Sequence, residues 1–215
     1  MNAAGTCSLS GALSMKVTRR ADQVKAWAQE AFWWKVKNRL RMLKRGEFLV
    51  PLVAKLSSML PGVTVMHGTL YGTIVKADGT RIDLGVMGHH LITTAGKNYI
   101  ASTFNSVAEP ENLKYHGFGT GATAAVIGDT ALQTELTTQY VSDNVRPTGS
   151  QANSSATYTT VATLSPDSGG TIAVTEWGLF SATSAGTLLD RQVFSAVNLV
   201  ASSDSLQVTY VLTIS

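Results

Sequence analysis

The last ten residues constrain the fold more than any other segment. Leu206, Val208, Tyr210, Leu212 and Ile214 alternate with Gln207, Thr209, Val211 and Thr213. A period of two sends the first set to one face of a strand and the second to the other. The segment therefore belongs to a sheet with one face against a core. Upstream, the runs 113–118, 135–146, 155–164, 170–181 and 187–197 read as further strands separated by polar turns. Thr183-Ser184-Ala185-Gly186 forms a tight turn between the last two. Residues 70–76 and 80–84 flank Asp78-Gly79, a hairpin signature. Thr94 to Phe104 reads as a short helix capped by Thr93 or Thr94. Strands at this spacing, with no βαβ alternation, predict an antiparallel β-sandwich or jelly-roll-like body and argue against a parallel nucleotide-binding sheet.

The N-terminal quarter has a different character. From Thr18 to Arg45 the residues are strong helix formers with no internal Gly or Pro, and Gly46 follows the basic pair Lys44-Arg45 as a C-terminal cap. Val24, Trp27, Ala28, Ala31 and Trp34 share one face at helical spacing. Phe32, Val36, Leu40 and Leu43 form a second, rotated stripe. One stripe suffices for a helix resting on its own core; two predict contact on two sides. A shorter helix from Glu47 or Pro51 to Leu60 ends at Pro61-Gly62. The expected organisation is a basic helical docking arm over 1–61 and a β-rich body over 62–215. That body divides into a hairpin with a short helix (62–112) and the sandwich proper (113–215).

Charge reinforces this division. Residues 1–60 carry eleven Lys/Arg against three Asp/Glu, net +8, while the remainder carries six against eleven, net −5. Charged residues are only 14% of the chain, and 147–215 holds just Asp167, Glu176, Asp190, Arg191 and Asp204. Soluble monomers ordinarily carry about twice that charged fraction. A surface of Ser, Thr, Gly and Ala packs against partners without burying ions, so the composition predicts a protein covered by neighbours. Cys7 is the lone cysteine, which excludes an intrachain disulfide or a thiolate metal cluster. No apolar run reaches the roughly 20 residues of a membrane-spanning helix, and no signal-peptide pattern opens the chain.

Candidate catalytic constellations each lack a partner. Gly117-Phe118-Gly119-Thr120-Gly121 is not followed by the Lys-Ser/Thr pair of a phosphate loop, nor by the helix and acid of a dinucleotide site. His89 and His90 are adjacent and so point to opposite faces of a strand; His67 and His116 stand alone, so no metal site is expected. Ser181 and Ser195 lie outside any Gly-x-Ser-x-Gly elbow. Glu176 and Asp190 share a strand-rich segment without the pattern of a glycosidase pair, and Glu176 with Arg191 reads as a bond between neighbouring strands. The expectation is a non-enzyme without a cofactor. Partner contacts are assigned to the arm, through Trp27, Trp33, Trp34, Arg39, Arg41, Lys44 and Arg45, since Trp and Arg anchor protein interfaces. Binding of nucleic acid by the same residues is the weaker reading, because their charge is spread around the helix.

Several stretches together resemble a family of tailed-phage structural proteins. They are Leu113-Lys114-Tyr115-His116-Gly117-Phe118-Gly119-Thr120-Gly121, Gly128-Asp129-Thr130-Ala131-Leu132, and Thr175-Glu176-Trp177-Gly178-Leu179-Phe180-Ser181. Gly186-Thr187-Leu188-Leu189-Asp190-Arg191 with Phe194, and Asp204-Ser205-Leu206-Gln207-Val208-Thr209-Tyr210, complete the set. The resemblance covers roughly 70–215 and leaves out the helical arm. It implies a virion component made in the host bacterial cytoplasm, a homo-oligomer whose partners are the major capsid protein or a tail ring. Capsid decoration (cement) is the expected role, with a tail, baseplate or fibre-adaptor role as the alternative. On this reading, deletion of 1–60 leaves a folded body that no longer joins the particle.

Overall fold

The computed structural model describes residues 9–60, 64–140, 144–167 and 170–215. Cys7, the Pro61-Gly62 stop and the centre of the expected strand 135–146 lie outside the described residues. Helix α1 (Leu9–Lys44) leads into a 3-10 turn (Glu47–Leu49) and α2 (Val50–Ser58). Strands β1 (Met66–Val75) and β2 (Arg81–Leu91) precede α3 (Thr94–Thr103) and a second 3-10 turn (Pro110–Asn112). Then follow β3 (Tyr115–Gly119), β4 (Ser150–Ser154), β5 (Thr157–Leu164), β6 (Thr171–Phe180), β7 (Leu188–Val200) and β8 (Ser205–Ile214).

The strands form two antiparallel sheets, β2-β1-β8-β5-β4 and β3-β6-β7. The β6–β7 hairpin lies in the second sheet while its flanking strands β5 and β8 pair in the first, so a four-stranded unit is folded over on itself. One apolar cluster joins the two inner faces. Leu70, Leu84, Met87, Leu206, Val208 and Tyr210 come from the first sheet, and Phe118, Val174, Trp177, Phe194 and Leu199 from the second. The architecture is thus a mainly β sandwich with an N-terminal helix, as the alternating pattern demands. In β8 the buried residues are Leu206, Val208, Tyr210 and Leu212, every second position.

Local chemistry sets the turns and caps. Gly46, at φ +69°, takes the left-handed conformation that ends α1. Gly79, at φ +82°, closes the β1–β2 hairpin, where the Thr80 amide donates to Asp78 Oδ1 at 2.9 Å. Thr93 caps α3 by accepting from the Gly96 amide at 2.9 Å.

Three features depart from the sequence reading, the first being that α1 begins at Leu9 and not at Thr18. The described part of 135–146 forms no strand beyond a single Gly119–Glu135 bridge. Its polar side chains fold inward: Arg146 binds Glu135 through Nε at 2.6 Å and Nη2 at 2.8 Å, and Tyr140 OH accepts from the Phe118 amide at 2.8 Å. Those side-chain bonds satisfy the segment in place of a ladder. Conversely, β4 gave no signal in the sequence because all five of its side chains are exposed and nothing alternates.

Candidate interaction surface

A sandwich has two open sides, each lined by the edge strands of both sheets. One side is bounded by β2 and β7, and α1 contacts both strands along it. Three polar side chains of α1 bind the backbone groups that those edges leave unpaired. Trp34 Nε1 donates to Ser195 O at 2.8 Å. Asn38, only 1% exposed, donates through Nδ2 to Met87 O at 2.9 Å and to Val86 O at 3.3 Å. Its Oδ1 accepts from the Ser195 amide at 3.1 Å, so one carboxamide bridges both sheets. Arg41 donates to Met87 O at 2.9 Å and holds Glu47 Oε1 at 2.6 Å; Gln192 of β7 donates to Glu47 Oε2 at 3.0 Å. Buried Ala31 and Met42 complete the inward face.

The pattern of the sequence missed Asn38 as a contact residue. It lies four residues after Trp34 on the same face, just past the end of the apolar stripe. The available signal is that very position: a short amide in line with a buried stripe is the side chain that can reach a sheet edge.

The outer side of the helical segment exposes large apolar side chains among basic ones. Phe32 is 57% exposed and Trp33 54%, their rings meeting edge-on with centroids 5.5 Å apart. Leu40 and Leu43 continue the row on α1. Phe48, Leu49, Leu52, Val53, Leu56, Met59 and Leu60 extend it through the 3-10 turn and α2, each more than half exposed. Of the residues assigned to partner contacts, Trp33, Arg39, Lys44 and Arg45 face outward, Arg45 donating to Ala122 O at 3.3 Å. Trp27 is half-buried, with Lys76 Nζ 5.3 Å from its ring centroid. Trp34 and Arg41 are engaged within the chain, as described above. A groove of about 920 Å³ opens between α1 and β7, lined by Trp27, Trp33, Trp34, Lys37 and Asn198.

The residues weighed for chemistry prove to hold the body together. The glycine-rich stretch after β3 wraps around Glu176, which is 0% exposed. The Gly121 and Thr134 amides donate to its Oε1 at 3.0 and 2.7 Å, and the Gln133 amide to its Oε2 at 3.0 Å. Arg191 adds Nε and Nη2 bonds at 3.0 and 2.8 Å, tying β6 to β7 as the sequence predicted, and reaches Asp129 at 2.9 Å. Ser181 Oγ accepts from the Thr187 amide across the β6–β7 turn. His89 and His90 pair with Thr69 and Gly68 respectively and so occupy opposite faces of β2. Among the described residues no group of three His, Cys, Asp or Glu side chains is placed to hold a metal ion.

Three buried groups, His116, His90 and Asp190, make stability respond to pH. Trp177 Nε1 donates to His116 Nδ1 at 3.0 Å, so the neutral ring carries its proton on Nε2 and donates it to Thr160 Oγ1 at 3.1 Å. Burial lowers the His116 pKa to about 3 and that of His90 to about 4. Burial pushes the Asp190 carboxyl up to about 8; its Oδ1 lies 3.7 Å from His90 Nδ1. Near neutral pH this pair is therefore a protonated acid facing a neutral imidazole. Below about pH 6.5 the unfolded chain takes up histidine protons that the fold refuses, so stability falls as pH drops. Above that, the fold keeps an Asp190 proton that the unfolded chain has already lost, so stability falls again as pH rises toward 8. Urea midpoints measured against pH are expected to peak near pH 6.5, and Asp190→Asn to flatten the alkaline limb and steepen the acid one, because Asp190 opposes the histidines from about pH 4 upward. An alkaline limb unchanged in that variant would refute the assignment.

The fold and its surface define a β-sandwich braced by a helix, with exposed apolar side chains on the outward side of that helix. No family model matches this chain, and no curated protein matches it. No helix is long and apolar enough to cross a membrane among the described residues.

Proposed function

We propose that this chain is a structural subunit of a tailed-phage particle, a capsid decoration protein that binds the shell through its helical segment. The observation that carries the reading is the apolar row from Phe32 to Leu60, eleven large side chains each more than half exposed. A row of that kind beside a charge-poor body is a protein-docking surface: large exposed apolar patches mark interaction sites. The phage assignment draws on the resemblance of 70–215, and the row supplies the mode of attachment. The basic groups of α1 fit this role better than phosphate binding. Arg41 is held by Glu47, Lys35 lies 3.2 Å from Asp83 and Arg20 3.5 Å from Asp78, so part of the positive charge is already matched.

Quantitative mass spectrometry of purified particles tests the placement. Decoration predicts hundreds of copies per particle, on the order expected of a shell-covering subunit. A few to a few dozen copies would move the protein to the tail or baseplate. The docking surface is tested by Leu52→Lys with Leu56→Lys. Both positions are exposed, so the variant should fold with an unchanged melting curve and fail to join particles. Normal incorporation would remove the row from the interface.

A further inference from the structure

Four strand edges bound the two sheets, and three are covered. The β2 and β7 edges are bound by Trp34, Asn38 and Arg41 of α1. The β3 edge meets residues 147–149: Tyr115 bridges Thr148, the His116 amide donates to Pro147 O at 2.9 Å, and the Gly149 amide to Lys114 O at 2.7 Å. The fourth edge is β4, and no described strand pairs with its outer side.

Strand β4 is short, at five residues, but it carries no charge, proline or bulge, and no described loop pairs with its outer side. Residues 147–166 contain no charged side chain, and no proline lies within β4 or β5. The β4–β5 register runs from Ser150–Val161 to Ser154–Thr157 without a shift. In an antiparallel ladder alternate residues turn their N–H and C=O away from the partner strand, so β4 presents unpaired backbone groups outward.

The sequence of β4 fits one occupant. Ser150-Gln151-Ala152-Asn153-Ser154 reads the same in residue class from either end: hydroxyl, amide, methyl, amide, hydroxyl. Paired antiparallel with a second copy about Ala152, it sets serine opposite serine and the Gln151 carboxamide opposite that of Asn153, with no charges meeting. We propose that two copies of this chain join through β4 about a twofold axis, merging their five-stranded sheets into one of ten. A closed twofold contact uses the same patch on both subunits, which is what a self-complementary strand provides. At about 4.8 Å per strand the merged sheet is about 45 Å wide. Since α1 lies at the β2 edge, the far side of each sheet from β4, the two apolar helical faces stand at opposite ends and remain free. The dimer rests on the sandwich alone and is independent of the virion reading.

Sedimentation equilibrium on the intact chain tests this, from micromolar to sub-millimolar concentration because the contact is small. A monomer–dimer equilibrium is expected. Ala152→Lys sets two ammonium groups face to face at the twofold axis and is expected to weaken dimerisation at least tenfold at low salt. Ala152→Glu alone should do the same, and mixing the two variants should restore a heterodimer. Ala152 is exposed, so both variants should keep the wild-type melting curve. A chain monomeric throughout the range, an Ala152→Lys variant that dimerises normally, or a mixture that stays monomeric would each overturn the proposal. Dimerisation lost in the Leu52→Lys, Leu56→Lys variant and kept in Ala152→Lys would place the second copy on the helical face instead.

Discussion

Glu176→Ala is expected to destabilise the fold by about 3–5 kcal/mol, because it leaves a buried guanidinium and three amides without their acceptor. The Arg191 side chain is 3% exposed and would retain only Asp129 and Thr123 O. The amides of Gly121, Gln133 and Thr134 belong to a stretch with no strand or helix of its own, so the carboxylate replaces a ladder for residues 120–134. For a chain of this length such a loss lowers the melting temperature on the order of 10 °C. Urea denaturation measures the size of the effect, and amide exchange at 121, 133 and 134 reports its location. A loss below about 1 kcal/mol would mean that these bonds contribute no more than exposed ones. Adding Arg191→Met removes the orphaned charge and is expected to recover part of the loss.

Deleting residues 1–60 is expected to unfold the body. The view of 1–61 as a docking arm predicted a folded remainder, but the contacts of α1 predict otherwise. Removal of α1 takes Ala31 from the core cluster and strips the β2 and β7 edges of Trp34, Asn38 and Arg41 together. Asn38→Ala isolates the central part of that seam. It removes both acceptor and donor from a buried position that binds two carbonyls and one amide across two sheets, at a cost of about 2–4 kcal/mol. Circular dichroism and chemical denaturation of the truncated chain and of the point variant check both expectations. A truncated chain with a cooperative β-sheet melt would show that the helix is an accessory to the sandwich.

The parts of the fold legible in the sequence were those set by a local period, a turn or a cap. The alternation in β8, the Asp78-Gly79 hairpin, the Thr93 cap and the Gly46 terminus each depend on residues within a few positions, and each is found where local chemistry puts it. The expected strand 135–146 had enough β-formers to read as a strand. Its fate was decided by Glu135, Tyr140 and Arg146, whose partners lie on β3 and in the β6–β7 turn. For the interaction surface, the sequence identified two apolar stripes on α1. It had no means of telling which stripe meets the body, because a helix with two such faces is symmetric until a sheet edge is placed beside it.

By itself the sequence determined a charge-poor chain of antiparallel strands behind a basic, tryptophan-rich helix. Period, turn chemistry and composition act locally and leave their record in adjacent residues. Only the tertiary structure decided that Trp34, Asn38 and Arg41 face inward while Phe32, Trp33, Leu40 and Leu43 face out. It also decided that a glycine-rich loop closes around Glu176, and that β4 is the one uncovered edge among the described strands. These choices pair groups tens to more than a hundred residues apart. They depend on which backbone donors and acceptors a sheet leaves unpaired, and that quantity does not exist until the strands have been ordered.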